Sequence, residues 1–526
     1  MFNLGDPDEK NTLYVATGVS LVSTTDTAVR TTSLQNLAII ANGAIVGDEN
    51  GIWLDDDTAG SPGASTIFRI SITDDGLVHG ANQDGLRLRS DNASTDAFYQ
   101  ITNEGEISSS RGWAINLDDA EESSIVNTGS IFTSRIFGIS GPGGVTSAIR
   151  VSNAIDTITN IGVISSADLA FDIDLTDPSN ASALATIASV LSGDAKGKSS
   201  GDLFVLQNTG EILSGGVALF SEGGVDDVSN DGFIQGDVWL DAYADEIANS
   251  GLIDGAVRLG DGDDALNGFG GRVTGLIDGG AGNDQIRSGY GDDFIIGGSG
   301  ADFIHAGKGD DTASYEGSAA GVRIDLRNDF AVGRGGDADG DILHQVENIV
   351  GTDFYDELFG NDGANTLDGG GNVDSLRGFG GNDVLQGGGG GDALIGDAGE
   401  DRIIGGAGSD RMYGDEETGG ADYADIFIFD DGDIGKFVGS GDRIVDFDAL
   451  DIIDLSRIDA DVTQAGDQAF TLLAQGVGFS GTAGEARINF LDGNRVLVFD
   501  TNGDGAEDGR IIFENNFTPI ADQIIL

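Results

Sequence analysis

The chain has no cysteine, so neither a disulfide nor a thiolate metal site contributes to it. Proline occurs only 5 times in 526 residues. Histidine occurs three times, as His79, His305 and His344, and no His-Glu-x-x-His run is present, which excludes a two-histidine zinc protease helix. Lys and Arg total 26 against 90 Asp and Glu, for a formal charge of −64. Such a chain lacks the basic patch that nucleic acid or an anionic membrane requires. No run approaches eighteen apolar residues, so no membrane-spanning helix is expected. The opening MFNLGDPDEK has no basic stretch followed by an apolar one, so no Sec-type signal peptide is expected either.

What the chain has in abundance is glycine, 87 residues of it, with aspartate in phase. From Gly279 it reads GGAGNDQIR, SGYGDDFII, GGSGADFIH, AGKGDDTAS. From Gly351 it reads GTDFYDELF, GNDGANTLD, GGGNVDSLR, GFGGNDVLQ, GGGGGDALI, GDAGEDRII, GGAGSDRMY. The frame is G-G-x-G-x-D-x-U-x, where U is large and apolar. Glycine permits the positive φ that tight turns need, and the last three residues suit a short strand. Two units make one coil of eighteen residues. Stacking the coils then buries Ile286, Ile295, Ile304, Leu358, Leu367, Leu376, Leu385, Leu394, Ile403 and Met412 in two ladders. The turn aspartates stack as well: Asp284, Asp293, Asp302 and Asp311, then Asp356, Asp374, Asp383, Asp392, Asp401 and Asp410, with Asn365 in one slot. Asp264 in VRLGDGDDALNG begins the series. Carboxylates repeated about every 5 Å repel one another, and a hard dication with oxygen ligands relieves this. Calcium accepts six to eight oxygens in flexible geometry, whereas magnesium demands a tighter octahedron.

This frame resembles the calcium-binding nonapeptide of RTX proteins. The resemblance implies a parallel β-roll carrying several calcium ions on the aspartates named above. It also implies export from a Gram-negative bacterium by a type I system that reads an uncleaved C-terminal signal, with folding outside the cell. The segment Thr312 to Val350 resembles an insertion common in such arrays and reads as strand, acidic loop and returning strand. After the repeats come ADIFIF at 424–429, DRIVDFDALDIIDLSRID at 442–459, GEAR at 484–487 and VFDTNGDGAED at 498–508. This order resembles the C-terminal secretion domain of serralysin-type proteases. Asp500, Asn502, Asp504, Gly505 and Asp508 imitate the start of an EF-hand, but Ile511 stands where its glutamate would be. A tight turn between strands at 495–499 and 510–513 is expected instead.

Residues 1–255 repeat a different unit: ITNEGEI, IVNTGSI, ITNIGVI, LQNTGEI, VSNDGFI and IANSGLI, with Asn103, Asn127, Asn160, Asn208, Asn230 and Asn249 at the corner. Asn and Gly tolerate the left-handed conformation, so strand, corner, strand is expected, stacked as a parallel β-helix with an internal asparagine ladder. A β-sandwich of periodic hairpins is the rival reading. An insertion is expected around Asp177 to Gly201. The fold expected is thus all-β: a β-helix over 1–255, a calcium-binding β-roll over 256–415 and a β-sandwich-like secretion domain over 416–526. For catalysis the candidates are Arg87, Arg89 and His79, set against a plain solvated face; no acid–base pair stands out, and no enzyme is expected. The expected function is a calcium-binding extracellular structural protein that self-associates into a surface layer, fibre or matrix adhesin. The alternatives are a monomeric adhesin for cell-surface polysaccharide and a polysaccharide lyase or epimerase.

Overall fold

Alternation of apolar and polar residues in short runs, broken by Gly and Asn, gives strands with one buried face. This computed structural model describes residues 12–172 and 203–526 apart from gaps, the longest being 57–65, 134–146 and 432–440. The insertion expected at Asp177 to Gly201 lies outside the described residues. The chain divides into two compact units, Met1–Asp293 and Phe294–Leu526.

The first unit is built of parallel strands. One sheet runs through Thr12–Val15, Ala38–Ala41, Thr66–Ile72, Ala97–Asn103, Glu122–Asn127, Asp156–Asn160, Leu203–Asn208, Val225–Asn230 and Glu246–Asn249. Its register stacks Ile39, Ile70, Ile101, Ile125, Ile158, Leu206, Val228 and Ile247 in one buried column. A second sheet takes the strand after each corner, and a six-stranded third runs from Val29–Thr31 to Leu169–Asp172. A parallel β-helix therefore forms, and not hairpins.

Asn103, Asn127, Asn160, Asn208, Asn230 and Asn249 form the expected internal ladder. Each side-chain amide donates to the carbonyl oxygen of the next, at 2.7–2.9 Å. The corner itself differs from expectation. None of these asparagines, nor Gly129, Gly162, Gly210 or Gly232, has a positive φ. These glycines are needed because the carbonyl oxygen of the corner glycine one coil earlier occupies the space a Cβ would fill.

In the second unit one sheet runs through Phe294–Ser299, Thr312–Ser314, Asn348–Thr352, Thr366–Gly370, Val384–Gly390, Arg402–Gly408, Ile426–Asp430, Ile452–Arg457 and Ile524–Ile525. Another runs through Arg323–Asp325, Glu357–Phe359, Ser375–Gly380, Ala393–Ala398, Arg411–Tyr413, Asp442–Ile444 and Gly509–Phe513, and Phe303–Lys308, Ile342–His344 and Ala331–Val332 pair in a third. The apolar position of every nonapeptide is buried. Here the second glycine of the frame does adopt positive φ, as at Gly298, Gly370, Gly388 and Gly406. Beyond the repeats the first two of these sheets continue. Asn494–Asp500 then pairs antiparallel with Gly509–Phe513, so the expected turn at 500–508 is present. Its carboxylates are occupied by its own amides: Asp500 accepts from Gly503 and Gly505, and Asp508 from Thr501 and Asn502.

Candidate metal centre

The strand that follows each turn fixes where its aspartate points. In the second unit the backbone N–H of Asp356 donates to Oδ1 of Asp374, Asp374 to Asp392, Asp392 to Asp410 and Asp410 to Asp442, at 2.8–2.9 Å. Along the other edge, Asn365 donates to Asp383, Asp383 to Asp401, Asp401 to Asp425 and Asp425 to Asp451, at 2.7–3.1 Å. Asp302 donates to Asp341 in the same way. In the first unit the rungs are Asp226 to Asp245, Asp245 to Asp264 and Asp264 to Asp284.

One carboxylate oxygen is thereby used. The other, Oδ2 of Asp264, Asp374, Asp383, Asp392, Asp401 and Asp425, is buried with no hydrogen-bond partner. In Asp374, Asp383, Asp392 and Asp401 it leans over the first glycine of its own turn, Gly369, Gly378, Gly387 and Gly396. A Cβ on Gly369 would stand 2.7 Å from Oδ2 of Asp374, and one on Gly387 would stand 2.5 Å from that of Asp392. Burial pushes these acids up: Asp264, Asp374 and Asp451 to about 8, and Asp383, Asp401 and Asp425 to about 7. Among the described residues no three acidic or histidine side chains converge on one point. Each edge of the roll offers one carboxylate per coil beside a glycine turn. Buried, unpartnered carboxylate oxygens without nitrogen or sulfur neighbours fit a hard cation.

All eleven aspartates expected as ligands are buried. Asp264, Asp284, Asp374, Asp383, Asp392, Asp401 and Asp410 are acceptors in the rungs. Asp302 and Asp311 donate rungs to Asp341 and Glu347. Burial raises Asp293 to about 6. Asp356 stands apart, since its oxygens already accept from Val322 at 2.6 Å and Thr352 at 2.7 Å. Sequence reasoning missed Asp226, Asp245, Asp425, Asp442 and Asp451, which continue the rungs without a glycine frame; Asp341, at the end of the acidic loop Gly335 to Asp341 that the sequence offers for further calcium, continues them too. The signal was there: each begins the triplet Asp-x-apolar, as in Asp425-Ile426-Phe427 and Asp442-Arg443-Ile444.

A known family matches this region in four copies, at residues 278–313, 346–376, 359–394 and 386–417, as the RTX calcium-binding nonapeptide repeat. The chain carries RTX calcium-binding repeats. Two solved structures are similar to part of it, the AlgE6R3 and AlgE6R2 subunits of the Azotobacter vinelandii mannuronan C5-epimerase. The first is 27% identical over 31% of this chain and 78% of its own, with a TM-score of 0.20. The second is 26% identical over 30% and 88%, with a TM-score of 0.21. No curated protein matches the chain. The RTX repeats make it a calcium-binding protein. No helix among the described residues is long and apolar enough to cross a membrane.

Of the catalytic candidates, His79 and Arg87 have separate partners. His79 lies on Leu77–Gly80 and Arg87 on Leu86–Ser90, in different sheets. The His79 ring nitrogens contact the hydroxyls of Ser108 and Ser110, and Arg87 faces the Trp53 ring. The Arg89 side chain lies outside the described residues.

Proposed function

We propose that the protein is an extracellular structural protein that leaves the cell unfolded by a type I system and folds as calcium fills the aspartate ladder. The observation that carries this reading is the second, unpartnered oxygen on Asp264, Asp374, Asp383, Asp392, Asp401 and Asp425. In water such oxygens are hydrated; buried and stacked they oppose folding until a cation is held between them. The ligands are then Asp264, Asp284, Asp293, Asp302, Asp311, Asp374, Asp383, Asp392, Asp401 and Asp410, joined by Asp425 and Asp442. Carbonyl oxygens of the glycine turns complete the shell. Asp356 serves as a turn-holding acceptor. Residues 416–526 act as the secretion domain, 1–255 as the β-helix and 256–415 as the roll.

The finer reading is self-association into a surface layer, fibre or matrix adhesin. Two features support it. The charge of −64 gives calcium many carboxylates to bridge between copies. Among the described residues, Thr12–Val15 and Val29–Thr31 each pair on one side only, leaving strand edges of the kind that recruit further strands.

Circular dichroism and negative-stain electron microscopy of the full chain, in EDTA and then in about 5–10 mM calcium, test both levels. β-structure gained with calcium is expected, together with ordered assemblies. A roll equally folded in EDTA would sink the calcium-driven reading. Monodisperse particles in calcium would sink assembly alone and turn attention to polysaccharide binding.

A further inference from the structure

Three histidines serve the whole chain, and two of them meet. His305 on Phe303–Lys308 and His344 on Ile342–His344 are register partners in a parallel pair. Ile304, Ala306 and Leu343 alternate with them into the core, so both imidazoles stand half-buried on the outer face. Their Nδ1 atoms are 2.7 Å apart and their ring centroids 4.5 Å. Phe330 stacks on the His344 ring at 4.5 Å and 10°. Two ring nitrogens at this separation need one proton between them, which either imidazole can supply.

The same spacing suits a metal ion. Nitrogens bound at about 2.0–2.1 Å to one ion stand about 2.9 Å apart at a right angle and about 3.4 Å apart at a tetrahedral angle. The pair is within a few tenths of an ångström of the right-angle case (about 0.2 Å), a small rotation for two side chains. The choice of metal follows from ligand type. Calcium and magnesium take oxygen, whereas imidazole suits copper, nickel and zinc. The chain has no cysteine to compete, and its third imidazole, His79, is on another strand against Ser108 and Ser110.

We propose that His305 and His344 form a bidentate site for a divalent first-row transition ion, copper, nickel or zinc, with solvent in the remaining positions. The site is distinct from the calcium ladder in its donors: it uses the outward residue of each strand, one position past the inward Ile304 and Leu343 and three past the rung aspartates Asp302 and Asp341, and it offers nitrogen rather than oxygen.

The test uses the full chain saturated with calcium, so that carboxylates are occupied, with copper(II) as the probe. Wild type and His79→Ala are expected to bind one copper with a two-nitrogen hyperfine pattern in electron paramagnetic resonance. His305→Gln and His344→Gln keep a hydrogen-bonding side chain but lose a nitrogen ligand. Each is expected to lose the two-nitrogen pattern and about tenfold or more in affinity. Oxygen-only coordination in wild type, or a two-nitrogen pattern surviving in either Gln variant, overturns the proposal. Should a variant misfold, nitrogen NMR of histidine-labelled wild type decides. Zinc must move two of the three imidazole signals, and movement of all three or of none refutes the site.

Discussion

Asn365 occupies the slot that Asp383 and Asp401 fill in the next two coils, and its backbone amide donates to Asp383 as theirs do in turn. In Asp383 one side-chain oxygen thus holds the backbone of the preceding coil, whereas in Asn365 the amide oxygen accepts from Asn361 in its own turn and Nδ2 donates to the carbonyl of Glu347. Asp383→Asn is expected to keep the rung, stabilise the calcium-free chain and weaken calcium binding. Asp383→Ala also orphans the Asn365 amide, at about 1–3 kcal/mol, and loses the calcium ligand besides, so its deficit is expected to widen in calcium. Calcium titrations of chemical denaturation separate the two variants. Proton linkage has an unusual sign here. Asp264 and Asp374 at about 8 and Asp383 and Asp401 at about 7 hold protons in the folded state that the unfolded chain has released near its ordinary value of 3.8. Without calcium, stability therefore falls as pH rises from about 4 to about 8. Calcium displaces those protons, so its binding strengthens over the same range; unfolding scans at pH 5.5 and 8 in EDTA and in calcium check both signs. At this scale the sequence was informative about identity and only partly about occupancy. Asp356 sits in GTDFYD, where Thr352 replaces the second glycine and engages its carboxylate, a local signal; the Val322 amide reaches it from 34 residues away, and nothing local to the frame announces that contact.

The strands and their columns were largely legible, because periodic apolar residues and periodic asparagines have one common solution, stacking. What was not legible depends on the neighbouring coil. The corner glycines looked like left-handed residues, but the carbonyl of the coil before is what excludes a side chain. The rungs at Asp226, Asp245, Asp425, Asp442 and Asp451 lack the glycine frame and so fell outside the pattern. His305 reads as a solvated position until His344, 39 residues on, is placed beside it by an irregular excursion. The asparagine column predicts its own failure. Asn160→Ala removes the acceptor of Asn127 and the donor to Asn208, at about 1–3 kcal/mol for each group left unpaired. The loss should be the same with and without calcium, measured by thermal unfolding, because no carboxylate takes part.

For the molecule as a whole, the asparagine column lies in the unit Met1–Asp293 and most of the carboxylate ladder in Phe294–Leu526. Chelation should therefore act unevenly. Limited proteolysis in EDTA is expected to leave a fragment spanning the asparagine column, and calcium to protect residues 294–451; mass spectrometry of the fragments decides, and uniform cutting would contradict it. One consequence of the rungs concerns length. Asp374 and Asp392 are eighteen residues apart and occupy equivalent places, each donating to the next carboxylate of its edge. Excising residues 375–392 joins Asp374 to Ala393 and removes one rung from each edge, leaving every other residue in phase. The roll can therefore gain or lose whole coils, about 4.8 Å each, without redesign of what remains. Its reach is a quantity that duplication and deletion can tune, as a ruler is cut to size.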